Sequence, residues 1–196
     1  MTADRPDNFS FAVWGKPGDD TTLMPEANGG IVGMSAPRND VFFPPHGDGF
    51  GGTAHAGCGL TVGRNGVCVF EHGANYFAPT LVYPATLTNW TLVTVVYRDD
   101  RPSLYLNGVP AHTGLKSEHI VHSGAGSGVS AQFRGRAGEM TQFTRALSDA
   151  EVQALTKMLP LPPDYAVMPP VFTLDARGQI TAQVAQAGDY QFQRAD

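Results

Sequence analysis

Apolar and polar residues alternate along most of this chain, with the period of two that is typical of half-buried β-strands. Residues 9–14 show the pattern first, and residues 90–98 are apolar on both faces, as expected of a strand inside a sandwich. The other strands predicted before residue 160 are 31–34, 59–63, 67–71, 80–83, 103–106 and 129–133. The chain is therefore predicted to be all-β.

Turn and capping residues mark where these elements end. Arg64-Asn65-Gly66 and Asn107-Gly108 are tight-turn sequences, which predict two hairpins. Ser148 and Glu151 have the spacing of a capping box, with an acidic residue in the first turn. We therefore predict one short helix near residues 148–157.

Proline divides the chain near residue 160. Residues 160–170 are proline-rich and indicate a semi-rigid linker after a first domain, residues 1–159. Beyond it, residues 171–174, 179–184 and 190–193 alternate like strands, which predicts a β-meander extension or the start of a neighbouring domain. Because the first residues lack an apolar signal core and the last ones break off within a strand-like pattern, we expect a piece of a longer exported protein.

Composition narrows the function classes. The 196 residues include 23 Gly and 15 Pro but only 16% charged residues, which fits many turns and few surface helices. A net charge of −5 without a Lys/Arg run argues against a nucleic-acid partner. No apolar run approaches the about 18 residues of a membrane-spanning helix, so no membrane partner is expected.

Two cysteines flank the first predicted hairpin. A turn centred near Asn65-Gly66 offsets Cys58 from Cys68 by about five residues, or about 16 Å along the strands. A disulfide needs Cα atoms within about 7 Å. We predict two unpaired thiols that pack as small hydrophobic groups.

Three segments resemble the laminin-G-like branch of the concanavalin A-like jelly rolls. Residues 90–108 contain W-x-x-V-x-V-V-Y, a charged turn and L-Y-L-N-G, and residues 145–152 match the family ending R-A-L-S-x-x-E-V. Residues 133–140 resemble its closing strand, although Ala137-Gly138 replaces a large apolar residue and its neighbour. The resemblance covers residues 8–157 and implies a sandwich of two antiparallel sheets.

The same resemblance implies a setting. Bacterial members of this branch are usually accessory modules on larger secreted enzymes and often contact sugars. The segments E-H-G-A-x-Y-F and P-S-L-Y-L-N-G are similar to insertions in large exported glycosidases, alpha-L-rhamnosidases among them. The expected location is thus secreted or periplasmic, with a parent catalytic domain in cis.

Catalysis by this chain is not expected. Jelly-roll glucanases place two carboxylates on one concave face with an E-x-D-x-x-E strand, and no such string occurs here. The pairs Asp19-Asp20 and Asp99-Asp100 are adjacent residues in turn contexts, so neither makes an acid–base pair. The sequence also lacks a Gly-x-Ser-x-Gly elbow and a zinc-spaced His/Cys cluster.

A sugar site needs an aromatic ring for stacking and planar polar groups for hydroxyls, and residues 71–77 supply both kinds. If Val67 and Val69 point into the core, Glu71 shares their face and His72 points outward. Alternatively, the two aromatic residues cap the core and Glu71 anchors a loop through backbone N–H groups. The predicted ligand-binding residues are Glu71, His72, Asn75, Tyr76, Phe77 and Tyr83, with His46 and Asp48 from the glycine- and proline-rich loop 36–57 and Arg136 from the closing strand.

Other polar groups have open roles. Arg134 and Arg136 are candidates to pair with Glu71 or with a ligand carboxylate. Laminin-G-like folds often hold Ca²⁺, and oxygen ligands from Asp48, Asp99 or Asp100 are candidates; the alternative is no cofactor. The histidines at 112, 119 and 122 are expected on a solvated loop, and Trp14 is either a core aromatic or a sugar platform.

The leading hypothesis is a non-catalytic carbohydrate-binding module from a secreted glycoside hydrolase, which would bind a polysaccharide or oligosaccharide and tether the enzyme to it. A second hypothesis is a structural β-sandwich that braces or covers the parent catalytic domain. A third is a protein-interaction or adhesion domain.

Overall fold

The computed structural model describes residues 7–32, 39–42, 52–124, 130, 133–162, 171–174 and 180–183. The chain forms two compact units, Met1–Pro162 and Pro163–Asp196. The first unit is a sandwich of two sheets. Its strands are β1 (Phe9–Pro17), β2 (Asp40–Phe42), β3 (His55–Gly63), β4 (Gly66–His72), β5 (Leu81–Pro84), β6 (Thr91–Arg98), β7 (Arg101–Leu106), β8 (Val109–Thr113), β9 (Ile120–His122) and β10 (Gly135–Phe143).

Both sheets are built mainly from antiparallel pairs. Sheet I has the order β10-β1-β6-β7-β8, and sheet II has the order β2-β3-β4-β5. Strand β9 pairs with β3 in parallel, at the start of β3. The prediction of an all-β jelly-roll sandwich of two antiparallel sheets with one short helix is confirmed.

The core lies between the sheets because alternate residues of each strand are apolar. Val93, Val95 and Tyr97 of β6 face Leu60 and Val69 of sheet II, and all five are fully buried. The other face of β6 is also apolar: Leu92 and Val96 pack against a helix in a second, smaller cluster. Two buried faces explain why this strand reads as a continuous apolar run.

The helix α1 (Asp149–Met158) covers the outer face of sheet I. Its capping box is formed by Ser148 and Glu151, as predicted, and Arg145 adds an ion pair to the Glu151 carboxylate. Trp14 belongs to the cluster under this helix, where its indole N–H donates to the Leu159 carbonyl at 3.2 Å. The core role of Trp14 is therefore the one that the structure supports.

Hairpin turns are tighter than predicted. The β3–β4 turn holds only Arg64 and Asn65, because Gly63 pairs directly with Gly66. Cys68 therefore lies opposite Thr61, three positions from Cys58, which corrects the expected offset from about 16 Å to about 10 Å along the strand. Both cysteines are free and buried, as predicted.

The turns at either end of β7 are also two-residue turns. Asp99 and Asp100 have φ of 50° and 67°, and Asn107 and Gly108 have φ of 51° and 78°. Left-handed values at both positions match the twist of a hairpin. The β6–β7 turn therefore excludes Arg101 and Pro102, which had been predicted to belong to it and which begin β7.

Three predictions of local structure differ from the structure in whole or in part, and residues 33–34 of the predicted strand 31–34 lie outside the described residues. Residues 109–113 and 120–122 were expected in a loop but form β8 and β9. Ile31 makes only an isolated bridge to Phe77 instead of starting a strand. The closing strand begins at Gly135, since Phe133 lies outside it. The replacement at Gly138 has a packing reason, because a Cβ there would meet Pro162 at 2.8 Å and Trp14 at 3.3 Å.

The second unit contains a described hairpin of β11 (Val171–Leu174) and β12 (Ile180–Gln183), two of the three strands expected there. The third expected strand, residues 190–193, lies outside the described residues. No helix in the described part of the chain is long and apolar enough to cross a membrane.

Candidate functional site

Four of the six histidines lie at one end of the sandwich, which we call the histidine end. It comprises Asp7, His55, residues 71–77, the Asp99–Asp100 turn and residues 114–122. Backbone hydrogen bonds join these segments: Asp7 to Val121 at 2.8 Å, Asp100 to Asp7 at 3.4 Å and Ser117 to Asp100 at 2.8 Å. The histidine end is therefore one connected structure.

Glu71 lies inside the sandwich at this end and is 1% exposed. Its side chain is on the core face, as the alternation with Val69 predicted. The carboxylate accepts hydrogen bonds from the hydroxyls of Ser117 at 2.5 Å, Tyr97 at 3.1 Å and Thr80 at 3.3 Å. Burial, followed by the nearby Glu71 charge, raises the pKa of Tyr97 well above its usual value.

These contacts show what Glu71 anchors and whether an arginine pairs with it. It anchors a loop, but through the Ser117 hydroxyl and not through the expected backbone N–H groups. Neither expected arginine pairs with it in the described structure. The Arg134 backbone N–H instead donates a hydrogen bond to the Asn39 side chain. Arg136, on β10, lies opposite Lys16 of β1. That position is at the far end of β1 from Asp7, about 30 Å away at strand rise.

His119 completes the Glu71 cluster. Its Nδ1 lies 3.6 Å from Glu71 Oε2 and is buried without a hydrogen-bond partner among the described residues. The ring stacks on Phe77 with centroids 4.0 Å apart and an angle of 18°. A small ring rotation would let Nδ1 donate to the carboxylate, which would leave Nε2 for other partners.

His72 points outward from sheet II, as the alternation predicts, but it is buried. It is on the outer face of sheet II but is only 1% exposed. Tyr76 covers it: the two rings are nearly parallel, with centroids 3.9 Å apart and an angle of 8°. The half-buried Tyr76 thus rests on a ring that is itself fixed by the sheet.

A tight turn presents Tyr76 and its neighbours. Gly73 N–H donates to the Asn75 carbonyl, and Phe77 N–H donates to the Glu71 carbonyl, both at 2.9 Å. Ala74 and Asn75 are exposed at the tip. The consecutive aromatic residues Tyr76 and Phe77 therefore stack on two different histidines, and the exposed Asn75 amide directly precedes them.

Tyr83 is not part of this arrangement. It lies opposite Val67 on β5, about 13 Å along β4 from Glu71. Its ring is near His112, at a centroid distance of 6.2 Å, and His112 pairs with Glu26 at 2.7 Å. These residues close the side of the sandwich between β5 and β8. His46 and Asp48 lie outside the described residues, so their predicted roles remain predictions.

The described acidic residues do not fit a calcium site. Asp99 accepts a hydrogen bond from the Asn8 amide at 3.3 Å, and Asp100 lies 3.5 Å from the Lys116 ammonium. Among the described residues no group of three His, Cys, Asp or Glu is placed to hold a metal ion. Calcium prefers six to eight oxygen ligands, which this turn does not assemble.

Asp7 is the most perturbed carboxyl at the histidine end. Burial first, and then a side-chain hydrogen bond with Asp100, raise its pKa to about 7. The Val121 N–H donates to Asp7 Oδ1 at 2.6 Å and opposes that shift. Asp7 therefore keeps a proton up to about pH 7, next to its hydrogen-bond partner Asp100.

Sequence reasoning missed several contributors to this site. Ser117, Tyr97 and Thr80 are separated from Glu71 by 46, 26 and 9 residues, and no local pattern connects them. The sequence predicts only a solvated loop for His119 and His122. The available signal was an unusual density of histidine in residues 112–122.

Comparison with known proteins identifies the fold family. Residues 2–153 match a family model described as the Concanavalin A-like lectin/glucanases superfamily. A sequence comparison with curated proteins finds no match.

Three solved structures illustrate the structural similarity. A botulinum neurotoxin type C structure, from work on a toxin that depends on interaction with two ganglioside molecules, is 12% identical with a TM-score of 0.50, over 79% of this chain and 36% of the other. The binding domain of botulinum neurotoxin DC with rat synaptotagmin II is 13% identical with a TM-score of 0.52, over 81% and 37%. Domain 4 of AbnA, a GH43 extracellular arabinanase from Geobacillus stearothermophilus in complex with arabinotriose, is 14% identical with a TM-score of 0.47, over 77% and 67%.

The two neurotoxin similarities show the fold alone, because both are far below 25% identity. The chain spans little more than a third of the neurotoxin chains, 36% and 37%.

Proposed function

Because the chain belongs to the Concanavalin A-like lectin/glucanases superfamily, we propose that it is a non-catalytic carbohydrate-binding module whose ligand stacks on Tyr76 at the histidine end. The observation that carries the proposal is the ring pair of Tyr76 and His72, with centroids 3.9 Å apart. A buried imidazole holds the phenol in one orientation, so little side-chain entropy is lost when a ligand binds.

Stacking on an aromatic ring suits a sugar better than most ligands. The C–H groups on one face of a pyranose are apolar, while its edge carries hydroxyls that need polar partners. Tyr76 retains exposed surface beyond His72, and the exposed Asn75 amide beside it can donate to and accept from neighbouring hydroxyls. Both parts of a sugar site are present on one turn.

The buried Glu71 supports binding over catalysis. A glycosidase needs two carboxyl groups that reach opposite sides of a glycosidic bond. Glu71 is 1% exposed, and its oxygens already accept hydrogen bonds from three protein hydroxyls. It therefore acts as a support that fixes the loop carrying His119.

We further propose that the module works within a larger secreted or periplasmic bacterial protein, next to a glycoside hydrolase domain such as an alpha-L-rhamnosidase. Two observations support this setting. Residues 71–77 and 102–108 resemble insertions in such enzymes, and a second unit follows Pro162.

The second candidate function is a bracing or protein-binding surface. Met158 and Leu161, beside the end of α1, are 71% and 57% exposed and are large apolar side chains that a partner surface would cover. The neurotoxin DC binding domain, of which this chain spans 37%, is in complex with a protein, synaptotagmin II.

A titration series distinguishes these functions. Calorimetry of the chain against plant and microbial polysaccharides should show binding to at least one of them. Tyr76→Ala should abolish that binding while the melting temperature changes by less than about 3 °C. Tyr83→Ala is the matched control, since it removes a half-buried tyrosine of the same sheet outside the histidine end, and it should retain binding.

Two results would overturn the carbohydrate proposal. The first is the absence of heat with every polysaccharide, which would favour the bracing role. The second is an equal loss of affinity in Tyr83→Ala and Tyr76→Ala, which would separate binding from the histidine end.

A further inference from the structure

His55 and His122 meet on the outer face of sheet II through the parallel pairing of β3 and β9. Val121 and Ala56 are paired and fully buried on the core side. Their sequence neighbours therefore project to the opposite face, where His122 lies beside Gly57. Gly57 has no side chain, so nothing from its position separates the two imidazoles.

The two rings meet edge to edge. His55 Nδ1 lies 2.7 Å from His122 Nε2, and the ring centroids are 5.0 Å apart with an angle of 24°. Adding the radius of each five-membered ring to the N···N distance gives about 5 Å, so the two nitrogens point at each other. In this contact one nitrogen donates a proton to the lone pair of the other.

Backbone contacts preorganise the pair. His55 N–H donates to Gly52 at 3.0 Å, and Ile120 N–H donates to Ala54 at 2.9 Å. His122 is only 5% exposed, whereas His55 is partly exposed. The His122 imidazole is thus fixed in the sheet, and the His55 imidazole is accessible from solvent.

We propose that His55 and His122 form a binding site for a transition-metal ion that prefers imidazole ligands, Zn²⁺, Cu²⁺ or Ni²⁺. The ion takes the place of the shared proton. The ring that donated this proton carries it on its other nitrogen instead, so both facing nitrogens become neutral imidazole ligands without any transfer of electrons. Zn–N distances of about 2.0–2.1 Å in tetrahedral geometry put the nitrogens about 3.3 Å apart. The pair must therefore open by about 0.6 Å, which a small rotation of the accessible His55 provides.

The ligand set determines which ions fit. No third His, Cys, Asp or Glu among the described residues is placed to complete a metal-binding group, so water fills the remaining positions. Imidazole nitrogen suits zinc, copper and nickel, whereas calcium and magnesium require oxygen. The site is distinct from the calcium site considered at Asp99–Asp100 and from the stacking site at Tyr76.

Metal titration of the full chain without an affinity tag tests this proposal. At protein and ion concentrations of about 100 µM, the wild type should bind one equivalent of Zn²⁺. His55→Ala should weaken binding by about tenfold or more. His112→Ala is the control, because it removes a partly exposed histidine that pairs with Glu26 on the other side of the fold.

Two further measurements keep the test decisive if His55→Ala loses stability. His55→Gln retains a hydrogen-bonding group toward His122 but not the imidazole, and it should also lose Zn²⁺. Cu²⁺ bound to the wild type should show hyperfine coupling to two imidazole nitrogens in its electron paramagnetic resonance spectrum, and to one fewer in His55→Gln. The proposal is overturned if the wild type binds no Zn²⁺, if either His55 variant binds as tightly as the wild type, or if His112→Ala loses the ion.

Discussion

The two ends of this sandwich are closed by different chemistry. At the end opposite the histidines, neutral amides bond to backbone groups: Asn39 Nδ2 donates to the Val62 carbonyl at 2.9 Å, and Asn65 Nδ2 donates to the Thr21 carbonyl at 2.8 Å. At the histidine end, closure depends on ionisable groups, Glu71, His119 and the Asp7–Asp100 pair. The opposite end also holds ionisable groups, the exposed Arg64–Asp20 pair at 3.1 Å and the buried Asp40. The histidine end differs because its described segments are joined through such groups, and clusters of this kind are enriched at functional sites.

The largest expected effect follows loss of the Glu71 carboxylate. Glu71→Ala leaves three buried hydroxyls without their acceptor and should lower the free energy of unfolding by about 3 kcal/mol or more. Glu71→Gln keeps one acceptor oxygen and should lose less. Urea denaturation measures both variants. An unchanged stability of Glu71→Ala would contradict the anchoring role.

Asn39→Ala is the matching change at the opposite end. The Asn39 side-chain amide donates to the carbonyls of Val62 and Arg134 and accepts from the Arg134 N–H. Its removal should lower the free energy of unfolding by about 2 kcal/mol in the same denaturation experiment. Because the site is remote, the folded variant should keep the polysaccharide and Zn²⁺ affinities of the wild type. A reduced affinity for polysaccharide or Zn²⁺ in a folded Asn39→Ala protein would contradict the claim that binding is confined to the histidine end.

A smaller effect is expected from pH. The pKa of Asp7 is raised to about 7 in the folded chain from an ordinary value near 3.8, so folding binds a proton at this site. The contribution to stability is complete below pH about 4 and is lost as the pH rises through about 7. Besides burial, the charged neighbours that raise this pKa are Asp100 and Glu71, and Lys116 and His119 contact those two residues.

Asp7→Asn should flatten this pH dependence. The amide keeps a group that can accept from Val121 N–H but no longer titrates, so the difference in unfolding free energy between pH 4 and pH 7 should shrink relative to the wild type. Denaturation at both pH values measures it. If the unfolding free energy of Asp7→Asn depends on pH as that of the wild type does, Asp7 is not the group responsible for this dependence.

Local patterns predicted what short-range physics determines. The two-residue turn at Asn107-Gly108, the capping box at Ser148 and the doubly buried β6 all follow from neighbouring residues. Strands β8 and β9 escaped prediction for the same reason. β8 is an edge strand in which no residue is fully buried, and β9 has only three residues, so neither shows a strong alternation.

The site depended on long-range geometry, and prediction was correspondingly partial. Alternation placed Glu71 on the core face, but its partners come from three other segments. Alternation also placed His72 on the outer face, but it did not show that Tyr76, four residues later, folds back and buries it. Arg136 was assigned to the site because sequence alone does not give the end of the sandwich at which β10 begins.

Amide chemical shifts during an oligosaccharide titration test the central claim most directly, namely that ligand recognition is confined to the histidine end. With a sugar that the calorimetric series identifies, the account predicts shift changes at residues 72–77 and 117–119 and none at Asn39, Asn65 or Arg134. Shift changes centred on Asn39, Asn65 and Arg134, or on the face of α1, would contradict it.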